Sequence, residues 1–369
     1  MCRKYFAAIF IFLIPIFSFA QTDVLLGNLK LEADIYGAKI FKHTVNFKPN
    51  TNQLVGGFEL KLLRQTFGSK EWHSAYHFPL CGVQLVYVNF NDKHLGEAWA
   101  IAPCIQFNFY QTNKVKMYVG LADGLAYFTH HYNALTDTMD NPIGSTINET
   151  TQFKLGASFE LSNKALLTTN LSFTHYSNAK FQTPNLGINV YGLHIGYQNF
   201  ISTTPQKFRP VTPINYTSKI KFDARLGYAR SGSIPYGGPR MPYYTTYLGV
   251  DKRWCYGNRW KIGLWYEYNK GANLNANFHE PNPDAAALSN KVALALGDEF
   301  ILGKMTFGGS FGYYLYRGLG GETMFQNLHI NYVLLSWNKE KMRQIYCGVQ
   351  LKTYLGVAEY FETYVGCRL

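Results

Sequence analysis

Polar and apolar residues alternate along most of this chain. Between Lys219 and Tyr228, the residues Ile220, Phe222, Ala224, Leu226 and Tyr228 share one face, and Lys219, Lys221, Asp223 and Arg225 share the other. From Arg259 to Asn269, Trp260, Ile262, Leu264, Tyr266 and Tyr268 lie opposite Arg259, Lys261, Glu267 and Asn269. Leu29, Leu31, Ala33 and Ile35 alternate with Lys30, Glu32 and Asp34, and Phe361, Val365, Cys367 and Leu369 oppose Glu362 and Arg368. Period two is the mark of a strand with one greasy and one polar face.

A soluble sandwich would also alternate, so length and turns decide. The runs read roughly 10 to 13 residues, near the ~9 to 11 that cross a bilayer when tilted and longer than the ~5 to 6 of soluble sheets. Connections alternate too. Gln111 to Lys114, Ser162 to Lys164, Tyr256 to Asn258 and Leu302 to Lys304 read as tight turns, whereas His131 to Glu149, Ser231 to Met241 and Gly271 to Ser289 are long and rich in Gly, Pro and Asn. Short turns on one side and long loops on the other predict an all-β, antiparallel transmembrane β-barrel of the outer-membrane type. About eight runs precede a Pro-containing connection and about eight follow it, predicting about 16 strands, with 14 as an alternative. A single barrel is preferred over two eight-stranded units, because each half would otherwise need its own closing register.

Composition agrees with this class and excludes others. The 369 residues are 47% hydrophobic, with 28 Tyr, 27 Phe and 6 Trp, and only 16% charged. Disorder needs few aromatics and much charge. A helical span needs about 20 consecutive apolar residues, and past the N-terminus no stretch provides them. Residues 1–20 carry Arg3 and Lys4, an apolar run from Phe6 to Phe17 and Ser18-Phe19-Ala20, which reads as a cleaved signal peptide. The remainder divides into 21–200, a connection at 201–218, and 219–369. The net charge of +12 favours an anionic partner. Cys81, Cys104, Cys255, Cys347 and Cys367 are odd in number, which argues against a full disulfide framework, although Cys347 and Cys367 could pair.

One hairpin interrupts the greasy face. In Ala165 to Asn178, Leu167, Leu171 and Phe173 form an apolar stripe, and Thr168, Asn170, Ser172 and Thr174 face the lumen. Continuing the apolar stripe brings His175 and Ser177, and in the returning run Tyr191, Leu193, Ile195 and Tyr197 give Asn189 the same parity. A polar group turned toward lipid is costly unless paired. Residues i and i+2 of a strand project about 7 Å apart from one face, within reach of a His ring and a Ser hydroxyl. That is the arrangement of a nucleophile and its base. With the tight turns periplasmic, the three lie at outer-leaflet depth, and an outer-leaflet lipid is the expected substrate.

His175-Tyr176-Ser177-Asn178-Ala179, followed by Pro184-Asn185-Leu186-Gly187-Ile188-Asn189, resembles the PagL-type lipid A 3-O-deacylase family and its longer acyloxyacyl-hydrolase relatives. Asn141 to Asn148 is similar to a segment of the longer relatives. The resemblance implies that Ser177 attacks an acyl ester of lipid A, with the 3-O-linked chain as the expected one, while His175 acts as general base and then acid. Asn178 and the backbone N–H groups of Ala179 and Lys180 would stabilise the oxyanion. The family places a Glu where this chain has Asn189, which can hold the imidazole but brings no charge, so slow turnover is expected. No Asp or Glu occurs from Ala165 to Phe200. The resemblance implies no metal and no cofactor, lipopolysaccharide as partner, and residence in the outer membrane.

Blander readings compete. Asn189 could cap backbone groups instead, and the barrel could be a porin-like or structural one carrying a relic motif. Gly308-Gly309-Ser310-Phe311-Gly312 matches the lipase G-x-S-x-G pattern, which needs a strand-to-helix turn. Here alternation of Met305, Phe307, Phe311 and Tyr313 runs straight through it. His130 and His131 with Asp137 and Asp140 do not make a metal set, since adjacent strand residues face opposite sides. Lys180, Arg240 and Lys270 are candidate phosphate contacts. Positive charge is scattered over the strands, so nucleic acid is not an expected partner.

Overall fold

The computed structural model describes residues 29–201, 208–209, 216, 218–232, 240–271, 287, 289–318, 321–337 and 343–369. The expected signal peptide and most of the 201–218 connection lie outside them.

Eight antiparallel strands form the first sheet: β1 (Leu29–Ile40), β2 (Val55–Gln65), β3 (Leu80–Asn89), β4 (Glu97–Gln111), β5 (Val115–Phe128), β6 (Ile147–Ser162), β7 (Ala165–Ser177) and β8 (Ile188–Phe200). A five-residue helix, α1 (Glu71–Ala75), lies in the β2–β3 connection. Each strand pairs with its successor, and β8 returns to β1 with Lys30 opposite Phe200 and Ile40 opposite Val190, closing a barrel. The second sheet is β9 (Ile220–Ser231), β10 (Met241–Arg253), β11 (Asn258–Asn269), β12 (Asn290–Leu302), β13 (Met305–Arg317), β14 (Met324–Trp337), β15 (Arg343–Tyr354) and β16 (Val357–Arg368). It closes through β16 and β9, with Glu362 opposite Ala229 and Arg368 opposite Asp223.

Among the described residues sixteen strands are thus present, but the preferred single closure is corrected. The chain makes two eight-stranded barrels, the alternative arrangement, because β8 satisfies its free edge on β1 rather than on β9. Strand pairing and packing divide the chain into residues 1–178 with 186–211, and 179–185 with 212–369.

Parity is as the alternation predicts. Leu31, Ile35, Leu171, Phe173 and Leu193 stand exposed outside the first barrel, and Phe222, Leu226, Leu264 and Phe311 outside the second. Lys30, Glu32, Asp34, Glu59, Lys61 and Lys154 are buried within. A greasy exterior around a charged interior is inside-out for water and suited to a bilayer. Among the described residues no helix is long and apolar enough to cross a membrane, and the crossing elements are strands.

Eight-stranded barrels are just wide enough for side chains to fill, and both are filled. In the first, Lys61 Nζ bridges Glu32, Asp34 at 2.7 Å and Glu59 at 3.0 Å, and Lys154 pairs with Glu59. Above this layer an apolar cluster of Ile40, Val88, Phe128, Tyr176 and Val190 is roofed by the loop residues Phe47, Phe90, Leu95 and Ile143. In the second, Glu299 gathers Lys261 at 2.8 Å, His329 at 3.0 Å and Arg225 at 3.1 Å, beneath a layer of Tyr247, Trp265, Tyr314 and Phe325. Ser310 lies mid-strand in β13, so the G-x-S-x-G match is a strand, without the strand-to-helix turn. Among the described residues all five cysteines are free, Cys347 and Cys367 included.

The β5–β6 loop is tied down internally. Tyr132 N donates to Ile143 O at 2.7 Å, and Asp137 binds His94 at 3.0 Å rather than His130 or His131. Asp140 is fully buried, and burial, then the neighbouring Asp137, push its carboxyl up to about 8. The folded loop therefore prefers a protonated Asp140. Stability is full below pH ~4, where the unfolded carboxyl is also protonated, and is lost as pH rises through about 8. Asp140→Asn is expected to flatten this decline, gaining about 1 kcal/mol or more at pH 9 and nothing at pH 4. Thermal unfolding in detergent at the two pH values checks it.

Candidate active site

β7 ends at the long-loop rim of its barrel. Tyr176 points inward and packs edge-on against Phe90 and Phe128, with ring centroids at 6.0 and 5.5 Å. An anchored Tyr176 forces its two neighbours to the opposite face, so His175 and Ser177 look outward. Ser177 is only 2% exposed, and His175 is half-buried. Their backbone faces β8 on one side, with His175 opposite Asn189, and β6 on the other, with Thr151 opposite His175 and Glu149 opposite Ser177.

His175 Nδ1 lies 2.6 Å from Asn189 Oδ1. Asn189 Nδ2 lies 3.1 Å from His43 Nδ1, and His43 Nε2 lies 3.0 Å from the carbonyl oxygen of Leu186. Only one proton assignment satisfies all three contacts. A carbonyl only accepts, so His43 donates from Nε2, and its Nδ1 then accepts from the Asn189 amide. Asn189 is left presenting its oxygen, and His175 donates to it from Nδ1. The free lone pair of His175 is therefore on Nε2, the nitrogen a general base requires. Both side-chain polar atoms of Asn189 go to histidines, not to the backbone.

The loops frame this arrangement. Gly187 runs directly past His175. A Cβ at Gly187 would stand 2.8 Å from His175 Cε1 and 3.1 Å from Tyr176 O, and its φ is +75°. Gly187 N donates to Pro142 O at 3.0 Å. Asn178 Nδ2 donates to Ser145 Oγ at 3.0 Å. The 141–148 segment thereby walls one side of the hairpin. Gly187→Ala is expected to displace the imidazole and lower turnover about tenfold, with about 1 to 2 kcal/mol of strain from the left-handed backbone. Kinetics and thermal unfolding of the variant check both numbers.

Ala179 (φ 51°) and Lys180 (φ 61°) adopt left-handed conformations. Their segment clusters with the second unit, where Gly232 N donates to Lys180 O at 2.7 Å. In the same unit the Arg240 guanidinium stacks on Phe181 with Cζ 3.8 Å from the ring centroid. Lys270 is exposed.

Sequence reasoning missed three groups. His43 comes from the β1–β2 loop, far from the motif. Glu149 and Asp123 reach the outward face only through register, since Glu149 opposes Ser177, and Asp123 opposes Thr151. Thr151 Oγ1 donates to Glu149, and the carboxyls of Asp123 and Glu149 hydrogen-bond each other. Inside the barrel, Asp34, Glu59 and His194 have metal-ligand spacing, but Lys61 and Lys154 already occupy those carboxylates.

Two family profiles match the chain. "Lipid A 3-O-deacylase (PagL)" covers residues 56–198 and "Acyloxyacyl hydrolase, C-terminal domain" covers residues 220–369. Among solved structures, the chain is similar to the crystal structure of the outer membrane enzyme PagL at 18% identity, covering 45% of this chain and 97% of that one, with a TM-score of 0.30. It is also similar to Neisserial surface protein A (NspA) at 11% identity, covering 47% and 96%, with a TM-score of 0.31. No curated protein matches.

Proposed function

We propose that this chain is an outer-membrane esterase removing a 3-O-linked acyl chain from lipid A, a reading supported by its matches to the models "Lipid A 3-O-deacylase (PagL)" and "Acyloxyacyl hydrolase, C-terminal domain". The observation that carries the proposal is the oriented His175, with Nδ1 bound to Asn189 at 2.6 Å on the face shared with Ser177. Nε2 of His175 takes the Ser177 proton as the hydroxyl attacks the ester carbonyl. The same nitrogen then protonates the departing sugar alkoxide, and water completes hydrolysis of the acyl-enzyme. Asn178 and the backbone N–H groups of Ala179 and Lys180 are the proposed oxyanion donors. Asn189 holds the tautomer. The outward aspect of the site matches a substrate arriving laterally in the membrane, and the chemistry needs neither metal nor cofactor.

The filled interiors weigh against the porin-like alternative, since ion pairs and aromatic layers occupy both lumens among the described residues. Mass spectrometry of lipid A from cells expressing the protein tests the reading. Loss of one hydroxyacyl chain supports it. An unchanged spectrum with the folded protein in the membrane, together with conductance in planar bilayers, would favour the channel.

A further inference from the structure

We propose that His43 is a positioning residue that sets the orientation of the Asn189 amide, and through it the tautomer of His175. The inference rests on the deacylase reading and adds to it a control on when the site is competent.

An asparagine is a poor substitute for a carboxylate beside a catalytic histidine because it has two unlike ends. With its oxygen toward the imidazole it selects the Nδ1–H tautomer, which leaves Nε2 free as a base. With its NH2 group toward the imidazole it selects the opposite tautomer, and the base is lost. Nothing in His175 decides between them. His43 does: its Nε2 is committed to the Leu186 carbonyl at 3.0 Å, so its Nδ1, 3.1 Å from Asn189 Nδ2, must accept. The amide is thereby turned with Oδ1 toward His175 at 2.6 Å.

The device depends on a neutral His43. Protonated, the ring donates from both nitrogens, and Nδ1–H faces the Asn189 NH2 group. The amide then rotates, its oxygen goes to His43, and His175 receives the wrong partner. His43 is exposed on its loop. The titratable groups around the relay are Lys42 on its own segment, Lys39 at the outward face of β1, Asp123 of β5, Glu149 of β6, His175 of β7 and Tyr191 of β8. Protonation of either His43 or His175 stops the reaction, so the acid limb of the rate profile should fall with two protons.

The test measures kcat, KM and pH–rate profiles on lipid A in detergent micelles for the wild type, His43→Ala, His43→Gln, Asn189→Glu and the double variant His43→Ala with Asn189→Glu. His43→Ala is expected to lower kcat about tenfold or more with KM within about twofold. His43→Gln keeps most of the neutral-pH rate, because its amide oxygen accepts the same hydrogen bond, but its acid limb falls with a single proton. A glutamate at position 189 has two equivalent oxygens and needs no orienting, so His43→Ala costs that background less than about threefold. Wild-type kcat and slope in both His43 variants would overturn the inference, as would an equal loss in the Asn189→Glu background, which would mark a merely structural role. Ser177→Ala separates the levels: activity surviving in it sinks the deacylase reading itself. An inactive Ser177→Ala beside normal His43 variants sinks only the role of His43.

Discussion

Replacing Ser177 with alanine is expected to lower ester hydrolysis by about 10^4-fold or more while leaving the barrel folded. The hydroxyl is the only atom group removed, and Tyr176, which fixes the local backbone through Phe90 and Phe128, is untouched. Stability should change by no more than about 1 kcal/mol. In cells, lipid A from the variant should keep the chain that the wild type removes, so the two spectra differ by one hydroxyacyl mass. His175→Ala should be similarly inactive, and the double variant should be no worse than either single one, because nucleophile and base act as a unit. Independent, additive losses would argue that the two residues do not share a step. Equal activity in the wild type and Ser177→Ala would remove the nucleophile from the mechanism altogether.

Alternation in the sequence carries the face of each strand residue but not its cross-strand neighbours. Alternation in Ala165 to Ser177 put Leu171 and Phe173 outward and Asn170 and Thr174 inward, and they lie so. Parity is a local property, fixed residue by residue by the strand period. Closure is not local. β1 meets β8 through residues some 160 positions apart, and nothing in the alternation of β8 says whether its second edge seeks β1 or β9, so one barrel and two were indistinguishable. The Asp123 and Glu149 pair was hidden for a finer reason. Reading the β6–β7 register straight from the turn pair Ser162 and Ala165 would set Ser177 opposite Thr150. An irregularity between Glu160 and Ser162 moves Glu149 there instead. One inserted residue changes every cross-strand partner beyond it. His43 had no signal beyond its type, since its role depends on where the β1–β2 loop folds back.

Changing Asn189 to glutamate is expected to raise hydrolysis about 100-fold. In a serine protease the reverse change, acid to amide, costs about 10^4, through the wrong tautomer. Here the tautomer is already correct, because His43 turns the amide oxygen toward His175, so only the charge is missing. A full negative charge beside an imidazolium in a poorly solvated site is worth a few kcal/mol, and about 2.7 kcal/mol corresponds to the 100-fold gain. Glu149 and Asp123 belong to β6 and β5, on the other flank of β7 from Asn189, and Nδ1 of His175 is engaged by Asn189. The gain should appear in kcat with KM little changed, since the charge develops on His175 only as Ser177 gives up its proton. It should also vanish when Ser177 is replaced by alanine. A glutamate variant no faster than wild type, with its fold intact, would mean that imidazolium formation does not limit the rate, and that Asn189 is not where this enzyme loses speed.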